Sequence, residues 1–332
     1  MMKFVDLYNK AMGEIKKGNL DAAYKYLLES MQDIEENIGD YDERFVRYEL
    51  NNNERAIKTY KQDGVLMPID VNRFDRVYFK SGEIAAKLGK TEEAIKHFQE
   101  YQKLVMYKFN GDKIDKHLYS FRSFSEHSLY DLSNNSISIS RPKVMNDPFD
   151  TPIIEWGKYL RSNNPKPHTD AFIKSFNGYR IRSFSIPKKR RPINDLLMWV
   201  HYADSHRGFC VEYDFSSEFR KPLRSFNCIH YDSVDLSKDS LSITEAFATK
   251  SKEWKRENEV RLIAYNCDID KDHDHISLDD KSSIVAVYLG LKCSEERVSL
   301  IGSLLKGKNT KLYKMEAVGS AIPYKLKPVL IK

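Results

Sequence analysis

Cysteine is scarce and scattered. The four in this chain of 332 residues, Cys210, Cys228, Cys267 and Cys293, stand singly with no C-x-x-C pair. That pattern excludes a disulfide-dense scaffold and reads as a reduced, cytoplasmic chain. Long apolar runs are missing too. Nothing approaches about 18 consecutive apolar residues, and the opening Met1-Met2-Lys3-Phe4-Val5-Asp6 has no apolar signal core, so neither a membrane span nor an export signal is expected. No G-x-G-x-x-G run occurs, which argues against a hydride-transfer enzyme on a dinucleotide fold. Strong charge of one sign is also absent. The 54 basic residues against 48 acidic leave only +6, a weak electrostatic invitation to a polyanion. The one dense basic run, Lys188-Lys189-Arg190-Arg191 between Pro187 and Pro192, reads as a solvated loop, with phosphate contact as the sharper alternative.

What the chain has in quantity is aromatic and charged residues. With 20 Tyr, 17 Phe and 31% charged residues it describes a folded chain with a sizeable core. Its length suits two domains, and the pattern changes near residue 112, giving expected domains 1–112 and 113–332.

The first of these is helical in pattern. Gly18-Asn19-Leu20-Asp21-Ala22-Ala23, Asn53-Glu54-Arg55-Ala56-Ile57 and Gly89-Lys90-Thr91-Glu92-Glu93-Ala94 share a turn-then-helix signature, and Ala23, Ala56 and Ala94 lie 33 and 38 positions apart. Glycine suits the end of one helix, acidic residues the start of the next, and a small alanine the closest crossing. This segment resembles degenerate tetratricopeptide repeats, whose period is about 34 residues. The resemblance implies a surface for a protein or peptide partner, or for a neighbouring domain.

The most informative stretch runs from Leu197 to Tyr213. Met198-Trp199-Val200-His201-Tyr202-Ala203-Asp204-Ser205-His206 has a helical pattern, and Gly208 turns it into an alternating strand. Costly, chemically capable side chains at such a junction mark a candidate site. The plainer reading makes Trp199, Tyr202 and Phe209 core anchors and the histidines cations at a helix C-terminus.

Around it the pattern predicts an α+β domain with a mixed or mostly antiparallel sheet. Strands are expected at 117–124, 136–140, 179–185, 208–215, 260–265, 284–289 and 311–315. Helices are expected near 125–132, 152–177, 194–206, 243–257 and 294–306. His273 and His275 fall in an acidic, loop-like stretch, 268–280, and read as solvated; no metal is expected.

Leu118-Tyr119-Ser120-Phe121-Arg122-Ser123-Phe124, Asn146-Asp147-Pro148-Phe149-Asp150, Ser183-Phe184-Ser185, Leu197 to Tyr202 with Gly208-Phe209, and Trp254 with Glu257-Asn258-Glu259-Val260-Arg261-Leu262 follow one another as in the bacterial domain-of-unknown-function 2971 family. The chain resembles that family, departing from it at Ser120, where lysine is common. The family carries no activity with it. A more distant likeness, resting on element order, is to the ADP-ribosyltransferase fold.

That likeness implies an enzyme taking a nicotinamide dinucleotide, NAD, as substrate and passing ADP-ribose to a protein, a nucleic acid or water, with a toxin or defence role by analogy. It implies Glu259, Glu257 and Tyr202 as catalytic residues, Glu259 stabilising the oxocarbenium-like transition state and Glu257 orienting or deprotonating the acceptor. It implies Tyr119, Arg122, Ser185 and His201 as ligand-binding residues, with Arg122 clamping phosphate. The expected arrangement has Arg122, Ser185, Tyr202 and Glu259 on one cleft; Glu259 on the face opposite Arg122 would exclude the transferase reading. Structural alternatives pair Arg122 with Asp147 or Asp150, and Glu257 and Glu259 with Lys255, Arg256 or Arg261. Two other functions stay open: a non-catalytic adaptor with a ligand-binding C-terminal domain, and a metal-dependent nuclease using His201, Asp204, His206 and carboxylates such as Asp147 or Glu212. The two histidines are five apart, off the i, i+4 spacing that shares a helix face.

Overall fold

The computed structural model describes residues 3–37, 58–62, 65–69, 72–108, 112, 114, 117–145, 150, 152–163, 165–188, 191–215, 224–232, 243–265, 268–278, 283–319 and 325–331. Helices α1 (Lys3–Lys16) and α2 (Leu20–Asn37) form one hairpin. After them come strands β1 (Lys58–Gln62) and β2 (Val65–Ile69), paired antiparallel, then helices α3 (Asn72–Lys87) and α4 (Thr91–Lys108). The turns at Gly18 and Gly89 have φ of +80° and +76°, the left-handed helix ends that the sequence predicts. Ala23 and Ala94 are fully buried where their helices meet. The middle turn expected at 53–57 lies outside the described residues. Immediately after it the chain is a β-hairpin, where an unbroken helical array would carry helix.

The C-terminal part runs β3 (Leu118–Arg122), α5 (Glu126–Asn134), β4 (Ser136–Ser140), α6 (Pro152–Asn163), α7 (Thr169–Ser175), β5 (Tyr179–Ser185), α8 (Leu196–Tyr202), β6 (Phe209–Asp214), β7 (Arg224–Cys228), β8 (His230–Tyr231), α9 (Ile243–Ala248), β9 (Thr249–Lys250), β10 (Glu259–Tyr265), β11 (His273–Ser277), β12 (Ser283–Leu289), α10 (Glu295–Leu304), β13 (Lys311–Ala317) and β14 (Leu326–Leu330). Ten strands form one mixed sheet in the order β11-β4-β5-β3-β6-β12-β13-β14, with β10 pairing β5 and β7. All pairings in it are antiparallel except β12 with β13, which α10 separates in sequence. The chain is therefore α+β, with N-terminal helices and a C-terminal mixed sheet.

Local chemistry sets several boundaries. Ser125 caps α5 in a reciprocal box with Ser128, satisfying donors that a helix start leaves open. The helix expected over 152–177 is two helices, because Pro165 and Pro167 cannot continue one. The helix expected over 243–257 stops at Ala248. Thr249 and Lys250 are drawn into a parallel bridge with His230 and Tyr231, and a 3₁₀ segment covers Lys252–Glu257. The loop expected around His273 is strand β11, held by β4.

The two parts share a core. Phe172 on α7 packs among Phe79, Phe98 and Tyr101 of α3 and α4 at centroid distances of 5.6, 5.2 and 6.2 Å. Gln102 of α4 donates to Ser175 Oγ at 3.2 Å and accepts from the Tyr179 hydroxyl at 3.0 Å. Aromatic packing and a satisfied buried amide fix the helical unit against the sheet domain.

At the other end of the sheet α8 carries Trp199, fully buried. Its Nε1 donates to Ile193 O at 2.9 Å, and its ring meets Phe121 edge-on at 5.1 Å and stacks on His206 at 5.9 Å. After α8 three consecutive residues, Asp204, Ser205 and His206, take φ of 47°, 49° and 70°, each costing roughly 1–2 kcal/mol. Gly208 then lets β6 approach: a Cβ there would stand 2.2 Å from Arg122 O and 2.9 Å from Ala203 C. Trp199→Ala is expected to remove about 3–5 kcal/mol of stability in urea unfolding. Parent-like unfolding would show that this helix is not anchored through its tryptophan.

Candidate functional site

Strand alternation selects which side chains can meet. Glu212 pairs with Tyr119, Tyr119 with Ser185, and Ser185 with Glu259, so these four stand in one row on one face across β6, β3, β5 and β10. Three strand steps of about 4.8 Å make that row about 14 Å long. The row carries three of the residues singled out by sequence, Tyr119, Ser185 and Glu259, and adds Glu212.

One end of the row is a buried charge cluster. Lys250 Nζ lies 2.9 Å from Asp150 Oδ1, 2.6 Å from Glu257 Oε2 and 3.0 Å from Glu259 Oε2. Arg261 reaches Glu259 Oε1 at 2.8 Å and Asp150 Oδ1 at 3.2 Å, and donates to Phe247 O at 2.8 Å. The Tyr231 hydroxyl accepts from the Glu259 backbone N–H at 2.7 Å. The Tyr202 hydroxyl donates to Glu257 Oε1. Lys250 also lies 5.0 Å from the Trp254 ring centroid.

Two cations face three carboxylates here, so full ionisation would leave a buried negative excess. The pKa values resolve it. Burial raises the Glu257 carboxyl, and Lys250 and Tyr202 only partly offset that, leaving it above the usual range. Burial acts the same way on Glu259, but Arg261 and Lys250 outweigh it and bring that carboxyl down to about 2. Burial disfavours the Lys250 cation, yet Glu259, Asp150 and Glu257 together hold it charged above its ordinary range. Two neighbouring carboxylates with pKa values pushed apart can divide the roles of proton donor and fixed charge. Glu257 is the one able to exchange a proton. Glu259 has both oxygens held by cations and only 4% of its surface exposed, so it fixes Lys250 and Arg261 rather than meeting a ligand.

Arg122 is not part of this site. Tyr119 and Phe121 point to the row's face, so Arg122 points to the other. There it lies buried, Nη1 2.5 Å from Asp131 Oδ2 and Nη2 2.7 Å from Ser138 Oγ. The expected convergence of Arg122 with Ser185, Tyr202 and Glu259 is thus not formed: Arg122 lies three positions after Tyr119, an odd offset that puts it on the opposite face of a strand. Arg122 does pin a structural contact, though with Asp131. Asp150 pairs with Arg261 and Lys250 instead, and Asp147 lies outside the described residues.

His201 is exposed, its ring 6.3 Å from that of Tyr202. Asp204 pairs with Arg207 at 2.9 Å, and His206 stacks on Trp199, so the group named for a nuclease is dispersed. Neither Lys255 nor Arg256 is the partner of the glutamates; Arg256 instead reaches Asp195 at 3.1 Å.

The row's far end is built on Glu212, which the sequence offered only as a nuclease carboxylate, and on Arg191, His117 and Tyr288, which it did not single out as site residues. Glu212, 5% exposed, accepts from Tyr119 at 2.8 Å and Tyr288 at 2.5 Å, with Arg191 Nη2 at 2.9 Å and His117 Nδ1 at 2.7 Å. Burial raises its pKa, but hydrogen bonds from Tyr288, His117 and Tyr119 and the Arg191 charge bring it below the usual range. Arg191 and His117 remain almost half exposed. The Arg191 signal lay in the basic run read as solvated loop. Lys250 had no signal, being placed mid-helix by the sequence pattern.

Compared with known proteins, the chain matches no family model, no curated protein and no solved structure.

Glu259 contributes stability that is full above the unfolded carboxylate value, about 4.3, and lost as pH falls through the folded value of about 2. Glu259→Gln is expected to cost about 3–5 kcal/mol at pH 7, because it removes the carboxylate that Lys250 and Arg261 share in the buried site, and to flatten the acid limb of a stability–pH curve. An unchanged acid limb would show the carboxylate is not ion-paired in solution.

Proposed function

We propose that the C-terminal domain is an acid–base enzyme that cleaves the N-glycosidic bond of a nicotinamide dinucleotide. The acceptor is water, and the helical unit supplies a surface for a protein or peptide. The observation that supports this best is the Glu257–Lys250–Glu259 bridge, in which adjacent carboxylates differ in proton affinity and Tyr202 is hydrogen-bonded to the protonatable one. Cleavage of a pyridinium glycoside by water calls for a base whose proton affinity is raised toward neutrality, and Glu257, held in place by Lys250, has that character. The reading is narrower than the transferase inferred by likeness, because the position of Arg122 excludes it as phosphate clamp. Arg191, on the same face and held beside Tyr119 and Tyr288, supplies the available cation.

In this scheme nicotinamide departs with the glycosidic electron pair as a neutral pyridine and needs no proton, Glu257 acts as general base and takes the proton of the attacking water, and Tyr202 orients it. Ser185 and Tyr119 lie between that end and Arg191. His201, exposed beside Tyr202, lies at the rim.

Glu257→Gln is expected to leave folding and dinucleotide affinity intact and to lower nicotinamide release about a hundredfold or more, the usual scale of losing general acid–base help. Arg191→Ala should weaken binding as well, since a phosphate contact acts before the transition state. No calorimetric binding of the dinucleotide and no nicotinamide release, with and without candidate protein and nucleic-acid acceptors, would sink this reading and favour the adaptor.

A further inference from the structure

Away from the glutamate cluster, α5 and β11 bring three imidazoles together at the end of the sheet. His127 lies in the first turn of α5 and is exposed. His273 and His275 are alternate residues of β11, the terminal strand in the sheet order, and so face the same side. The His127 ring centroid is 4.8 Å from that of His273 and 5.4 Å from that of His275.

Two distances give this cluster chemical meaning. His127 Nδ1 and His275 Nε2 are 3.3 Å apart, longer than a well-formed N–H hydrogen bond. Two nitrogens on one tetrahedral zinc ion, each about 2.0–2.1 Å from it, are separated by about 3.3–3.4 Å. The second distance is from His275 Nδ1 to Asp131 Oδ1, 2.9 Å. A carboxylate on the remote ring nitrogen fixes the tautomer and leaves Nε2 with its lone pair outward, the usual support of a metal-bound histidine.

Asp131 is well placed for that task. It is fully buried, and its other contacts are Arg122, the Ser136 hydroxyl at 3.0 Å and the Ser138 backbone N–H at 2.8 Å.

We propose that His127, His273 and His275 form a site for a divalent transition-metal ion, with zinc the best fit. His127 Nδ1 and His275 Nε2 are the primary pair, His273 Nε2 the third ligand and water the fourth. As the molecule stands, no three His, Cys, Asp or Glu side chains among the described residues are arranged to hold a metal. His273 Nδ1 is engaged by Ser140 Oγ at 3.0 Å, and a turn of this ring brings its Nε2 to the ion. Three protein nitrogens and an exchangeable water leave an open coordination position, as in catalytic rather than structural zinc sites. The ion also ties the start of α5 to the end strand of the sheet.

The experiment is titration of the metal-free full-length chain with zinc chloride by calorimetry and with cobalt chloride by visible absorption, alongside melting curves. The parent should bind one equivalent, give the intense visible bands of tetrahedral cobalt, and melt at a higher temperature with zinc. His127→Ala and His275→Ala should each weaken affinity about 100-fold or more, since losing even an outer-shell partner costs 10–100-fold; both are surface changes whose folding circular dichroism checks. His273→Ala should weaken it as well, and equal affinity in that variant would overturn the three-imidazole form. No one-equivalent binding by the parent, or equal binding by the double variant H127A/H275A, would overturn the site altogether.

Discussion

A buried set of five ionisable side chains ties Asp150, the short strand β9, the 3₁₀ segment and β10 to one another. Lys250 and Arg261 face Asp150, Glu257 and Glu259 where β9, β10 and the 3₁₀ segment meet. Taking such ions out of water costs several kcal/mol each, and only close geometry repays it. Arg261 meets that condition by completing its donors on Glu259, Asp150 and a backbone carbonyl. Lys250 meets it with three carboxylates. The remaining imbalance falls on Glu257, whose proton affinity burial and the neighbouring Glu259 raise. A structural necessity and a chemical capability thus share one origin.

The same sheet separates two chemistries by strand parity. One face carries the row from Glu212 to Glu259, closed at its ends by Arg191 and by Tyr202. The other carries Arg122, Asp131 and Ser138, and through Asp131 the orientation of His275. Asp131 therefore has two duties, neutralising a buried arginine and setting a histidine tautomer. Nothing in the first face requires the second, and each can act while the other is altered.

The helical unit is an integral part of this fold. Phe172 enters its aromatic cluster, and Gln102 bonds to Ser175 and Tyr179 of the C-terminal part. One surface of α3 and α4 is thereby already occupied, and a protein or peptide partner would need the remainder.

Much of the architecture is legible in the chain because it is written locally. The glycines at 18 and 89 end helices, Ser125 starts one, and alternation marks β4, β5, β6 and β12 nearly residue by residue. The strongest local reading, a helix near 194–206 turning at Gly208 into a strand, meets a real helix and strand, but the helix ends at Tyr202 and Asp204, Ser205 and His206 form a left-handed turn that the pattern reads as helix. Tyr119, Ser185 and Glu259, singled out through the likeness to a fold, lie in one row, with Tyr202 and Glu257 joined to its end. What local pattern does not contain is pairing across the sheet. Arg122 and Glu259 are both conspicuous, and only the register of β3, β5 and β10 puts them on opposite faces. Lys250 sits in a helical pattern that three carboxylates from elsewhere override, because ion pairing of a buried amine outweighs the few tenths of a kcal/mol per residue in helix propensity. His273 and His275 lie in an acidic segment that looks solvated, and β4 and α5 are what turn it into an imidazole cluster. By itself the sequence determined the elements, the composition of the core and the residue types available for chemistry. The tertiary structure alone decided which charges are buried together, since burial and proximity belong to long-range contacts that no window of the sequence holds.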